Sequence, residues 1–131
     1  MLRPGGRLVI VDPDYDTQVV AVADQDLARR VRRYRADVSV QNGTLAHQMI
    51  RLFAAIGLRN VQVEGMTLVV QDPLAVDNVM GLRTWAASAH QRGHLSREDA
   101  AQWEADIDDA IAHGHFLYAV TFFLTSGIKP G

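Results

Sequence analysis

The stretch that decides the fold is Leu2-Arg3-Pro4-Gly5-Gly6-Arg7-Leu8-Val9-Ile10-Val11-Asp12. Pro4 cannot continue a helix interior. The two glycines that follow allow the left-handed turn by which a helix hands over to the next element. Leu8 to Val11 is a continuous apolar run, the pattern of a strand covered on both faces. The sequence therefore opens on the exit of a helix that does not precede it.

Working outward, Asp12-Pro13-Asp14-Tyr15-Asp16-Thr17 reads as the loop leaving that strand. Asp24 is placed to cap a helix with Leu27, Val31 and Tyr34 on one face. Thr44 is a candidate cap for a second helix, striped by Leu45, Met49, Leu52, Phe53 and Ile56. Gly57 closes it, with Leu58 packing back. Asn60 to Gln71 reads as a strand whose apolar parity switches at Gly65, which predicts a bulge or bend there. Asp72-Pro73 starts a helix through Leu74, Val79, Leu82 and Ala86 to Gly93. Ser96 to Asp99 resembles a capping box for a helix striped by Ala100, Trp103, Ile107 and Ile111. His115 to Thr125 is apolar at both parities, as an interior strand is. The order is strand, helix, helix, strand, helix, helix, strand: an α/β fold with only three strands, a thin sheet for a layered domain.

The 131 residues suit one modest domain. A net charge of -2 gives no global basic field toward nucleic acid or membrane. The absence of cysteine excludes disulfides, thiol nucleophiles and cysteine metal sites, and fits a reducing compartment. No apolar run approaches the roughly 18 residues of a membrane helix, and the start has no signal-peptide pattern. The expected location is the cytoplasm.

The opening stretch resembles the segment entering the fifth strand of class I S-adenosylmethionine-dependent methyltransferases. In that family a helix ends in Leu-(Lys/Arg)-Pro-Gly-Gly before an apolar strand. Phe53, Gly57 and Val61 match the passage before the family's sixth strand, Leu58 matches in kind, and Ile56 departs from the usual alanine. Phe116 to Phe123, followed by Ser126-Gly127-Ile128-Lys129-Pro130, resembles the closing seventh strand, which in the family runs antiparallel between the fifth and sixth. The resemblance spans residues 1–131 as the C-terminal half of a methyltransferase domain, a partial Rossmann-like sheet of three strands, with a helical insertion at about 73–113.

This resemblance implies methyl transfer from S-adenosylmethionine to a small molecule by the full-length parent. It also implies that this half is inactive alone. The family's glycine-rich cofactor loop is absent, since no Gly-x-Gly occurs, and the ribose-holding acid has no counterpart. No residue here is therefore expected to bind the cofactor. Ligands of open α/β sheets bind beyond the strand C-termini, so Asp14 and Tyr15 are the expected substrate-binding residues. No catalytic base stands out. Arginine outnumbers lysine, with Lys129 alone, which hints at a GC-rich gene. Met1 then reads as a secondary or mis-assigned start, with a truncated gene as the competing account.

Other readings stay open beside this one. Asp12, Asp14 and Asp16 fall short of a phosphotransfer motif by one position, and of a calcium loop at its sixth and twelfth positions. The bland reading of that stretch is a solvated loop with an Asx turn. Arg29, Arg30, Arg32, Arg33 and Arg35 read as a solvated helix face. His90 and His94 are separated by a helix break, so no metal site is expected. Trp85 and Trp103 read as core. The functional alternative is a non-catalytic binding or dimerisation module. The missing fourth strand leaves the Leu8–Val11 edge open, so a homodimer through that edge, or a complex with a missing N-terminal half, is expected.

Overall fold

The structure, a computed structural model, describes residues 2–131. The Met1 reading lies outside the described residues. Three strands, β1 (Arg7–Val20), β2 (Arg59–Val70) and β3 (Tyr118–Ile128), form one open sheet in the order β1-β3-β2. Five helices accompany them: α1 (Gln25–Tyr34), α2 (Met49–Ala55), α3 (Pro73–Met80), α4 (Trp85–Gln91) and α5 (Arg97–Ala112). β3 runs antiparallel to both neighbours, so β1 and β2 are parallel to each other. The chain is α/β, with its last strand antiparallel at the centre of the sheet.

Directly opposite residues in an antiparallel pair share a face. One face carries Leu8, Ile10 and Asp14 opposite Gly127, Thr125 and Thr121. α2 covers its Leu8 end, where Met49, Phe53 and Leu58 are buried with Leu8 and Ile10 packed against them. Gly127 belongs there because a Cβ would run into Phe53 and Leu58 at 3.0 Å. The opposite face carries Val20, Tyr118 and Val120, which join Leu27, Val31, Trp85, Trp103 and Ile107 in the main core. The two helical layers thus cover opposite faces at opposite ends of the sheet. Each leaves bare what the other covers, and Val9, Val11, Met66 and Leu68 stay exposed on the main-core face.

Local chemistry explains most boundaries. The Asp24 side chain accepts from the Leu27 N–H, Asp72 from Leu74 and Ser96 from Asp99, each at the head of its helix. Gly57 takes φ 83 and lets the Leu58 N–H reach the Phe53 carbonyl at 3.0 Å. The capping-box expectation holds in half. Ser96 caps α5, but the Asp99 carboxylate turns outward to Arg30 at 2.7 Å.

Four expectations are corrected. β1 does not end at Val11. It runs to Val20, with its register broken between Asp14 and Val19, so the expected loop is a distortion inside a longer strand. The irregularity in β2 falls between Arg59 and Gln62, where Asn60 takes φ 51, while Gly65 pairs regularly with Phe123. The single helix expected from Pro73 to Gly93 breaks at Gly81, φ 66. Within its first part, α3, Val76 is the residue buried, while the expected stripe residues Leu74 and Val79 are exposed. Thr44 makes no side-chain cap, and residues 45–48 form a short 3-10 turn before α2.

Candidate functional site: a carboxylate–imidazole pair beside an arginine cleft

The register break in β1 is stitched by its own side chains. Pro13 has no N–H to give to a ladder. Beyond it, Asp14 Oδ1 accepts the Asp16 N–H at 3.0 Å, an Asx turn. The Thr17 hydroxyl donates to the Asp14 carbonyl at 2.7 Å and accepts the Thr121 N–H at 2.9 Å. This fixes Asp14 with its carboxylate turned inward, 3% exposed. The turn is present as the bland reading expects, but it is not solvated at Asp14.

The second carboxylate oxygen of Asp14 meets a side chain from elsewhere in the chain. His47, on the 3-10 turn preceding α2, brings Nε2 to 2.6 Å from Asp14 Oδ2. A carboxylate only accepts, so Nε2 carries the hydrogen and donates. Nδ1 has no protein partner among the described residues, and about half of the imidazole is open to solvent. A buried carboxylate that fixes the tautomer and orientation of a half-exposed imidazole is an arrangement suited to acid–base work.

His47 opens on a cleft of 570 Å³ between α1 and the 44–48 turn, walled by Asp16, Arg29, Arg32, Thr44 and His47 together with the ion pairs Arg30–Asp26 and Arg33–Asp37. Asp14 lies behind His47 rather than on the wall. Tyr15 lies off the cleft as well. Its N–H donates to the Gly43 carbonyl at 3.1 Å, and its ring faces the Arg35 guanidinium at 5.8 Å. Arg35 also stacks on Trp85 at 3.9 Å. Burial pushes the Arg35 pKa down from its ordinary value, with Tyr118 and Tyr15 pulling the other way. Deeper still, Gln18 Nε2 donates to the Tyr118 hydroxyl at 2.6 Å, and burial pushes the Tyr118 phenol up.

The arginines divide. Arg30 pairs with Asp26 and Asp99, and Arg33 with Asp37. Arg29 and Arg32 have no ion-pair partner among the described residues, and Arg32 Nε is buried without a hydrogen-bond acceptor. The solvated-face expectation fits Arg29, Arg30 and Arg33, which are exposed, but Arg32 and Arg35 turn inward. His47 carried no sequence signal, because its partner lies 33 residues away.

Neither turn from a strand into a helix, 21–24 or 71–72, contains a glycine. Gly6, Gly43 and Gly127 are pressed against the chain's own atoms, and the positive-φ glycines sit in turns and at helix ends. No cluster of three potential ligands that could hold a metal occurs among the described residues, and no helix is long and apolar enough to cross a membrane. The two tryptophans are core: Trp85 Nε1 donates to the Met80 carbonyl and Trp103 Nε1 to the Leu82 carbonyl.

No family model matches the chain. An uncharacterized 37.1 kDa protein in transposon TN4556 of Streptomyces fradiae is 34% identical over 124 residues, which is 95% of this chain and 35% of the relative. The chain therefore spans about a third of the length of the curated relative it matches.

Proposed function

We propose that the chain is the acceptor-binding half of an S-adenosylmethionine-dependent methyltransferase of small-molecule type, and that it is inactive alone. The observation that supports this reading is the strand order. Two parallel strands with the last strand antiparallel between them is the arrangement that the opening Leu-Arg-Pro-Gly-Gly resemblance implies, and sheet order is not set by local propensity. The match to one third of a longer protein is compatible with a domain completed by other sequence. In this reading the cofactor belongs to the parent, and this half contributes the wall that holds the acceptor. His47, held by Asp14, is the group in this half suited to take a proton from an acceptor hydroxyl or amine.

The test is a chimera in which this chain replaces the matched segment of the Streptomyces fradiae relative. The expected result is micromolar S-adenosylmethionine binding by the chimera, about −8 kcal/mol, with the isolated chain lacking it. A chimera and a parent relative that both fail to bind would sink the reading.

A second reading, a non-catalytic dimerisation module, is favoured by the exposure of Val9 at 46% and Val11 at 51% on the edge strand β1. The same feature underlies the partner proposal: a homodimer through the Leu8–Val11 edge, or a complex with a cofactor-binding half.

A further inference from the structure

We infer that the cleft beside His47 binds a small oxyanion that also carries a hydroxyl or amino group. This names the substrate class for the acceptor side proposed above and rests on that placement, but its test needs no methyl donor. Four observations converge on it. The cleft, at 570 Å³, falls within the roughly 300–1,000 Å³ of small-molecule sites. It adjoins a second cleft of 210 Å³, and Arg29 and Arg32 line both. These are the two arginines of α1 without a carboxylate partner among the described residues, whereas Arg30 and Arg33, which line the larger cleft too, are already paired.

Unmet hydrogen-bonding capacity points the same way. Arg32 Nε is buried and donates to nothing. Leaving such a group unpaired is costly. An oxyanion seated between Arg29 and Arg32 supplies the missing acceptor, and a guanidinium fork suits it. Across the cleft the open groups are of the opposite kind. Asp16 only accepts, and the neutral His47 ring, with Nε2 given to Asp14, has Nδ1 as its remaining acceptor. They call for a donor on the ligand. One end of the ligand is therefore anionic and the other carries O–H or N–H, which places its exchangeable hydrogen beside the imidazole.

The experiment is a titration of the full chain, labelled in its histidine and arginine side chains and observed by NMR, with three probes: inorganic phosphate, benzoate and 4-hydroxybenzoate. The expected result is saturable shifts of the His47 and Arg32 signals with 4-hydroxybenzoate. Benzoate should move Arg32 more than His47. Arg32→Gln should weaken binding by about tenfold or more, and Arg29→Gln, at an exposed position, should weaken it in the same direction. Absence of saturable shifts with every probe up to about 10 mM, or affinity unchanged in both variants, overturns the site. Equal affinity for benzoate and 4-hydroxybenzoate overturns the requirement for a donor. Probe binding alongside a chimera and a parent relative that both fail to bind S-adenosylmethionine removes the methyltransferase reading and leaves this site standing.

Discussion

Nε2 of His47 lies 2.6 Å from Oδ2 of Asp14, joining a short turn before α2 to the break in β1's register across 33 residues of sequence. The geometry makes the Asp14 carboxylate the acceptor and leaves Nδ1 of the neutral ring as a lone pair. The neutral His47 ring is expected in its Nε2–H form, with a slowly exchanging, low-field proton. Asp14→Ala should lose that proton. It should also cost about 1–3 kcal/mol of stability by leaving partners unpaired, read by denaturant unfolding. A wild-type ring protonated on Nδ1 would overturn the pairing.

Asp12 gives a pH-dependent prediction. Burial, and then the charge of Asp14, raise its carboxyl pKa above the ordinary 3.8. A raised folded-state pKa means that the stability tied to this group is present in full below 3.8 and is lost as pH rises through the folded value. Asp12→Asn should therefore raise the melting temperature at neutral pH, with the gain vanishing below about pH 3.8. A gain that persists in acid would assign the effect to something other than charge.

The β1 edge predicts association. Leu8 and Ile10 are half-buried against α2 while Val9 and Val11 remain exposed, which corrects the expectation of a strand covered on both faces. Burying those two is worth at most about 1.5–3 kcal/mol each, and the neighbouring backbone adds the pairing capacity of an edge strand. Size exclusion with light scattering should find a dimer at tens of micromolar, roughly the range a modest interface supports. Val9→Lys with Val11→Lys should return a monomer. A wild-type monomer whose elution and stability both variants leave unchanged would show that the edge recruits nothing.

How far the sequence reveals this fold depends on which interactions set each part. The caps at Asp24, Asp72 and Ser96 and the αL turn at Gly57 are local, and their side-chain chemistry announces them. The central place of β3 shows in its apolar residues at both parities. The break at Gly81 is legible only afterwards, because an isolated glycine within a helical pattern can be carried or can end it. The continuation of β1 past Pro13 depends on Thr17 bridging to Thr121 on another strand. Of the site, Asp14 stood out through its motif-like spacing. His47 did not, since a lone histidine in Leu45-Ala46-His47-Gln48 has no local partner. Arg32 differs from its solvated neighbours in helix phase and in tertiary packing, and only the first can be read from spacing.

The central claim is that this chain carries an acceptor side and no donor side. Calorimetric titration of the isolated full chain with S-adenosylmethionine tests it most directly. The account predicts no affinity better than about millimolar, near −4 kcal/mol, because neither strand-to-helix turn of the described residues contains a glycine. Micromolar, stoichiometric binding by the chain alone would contradict it.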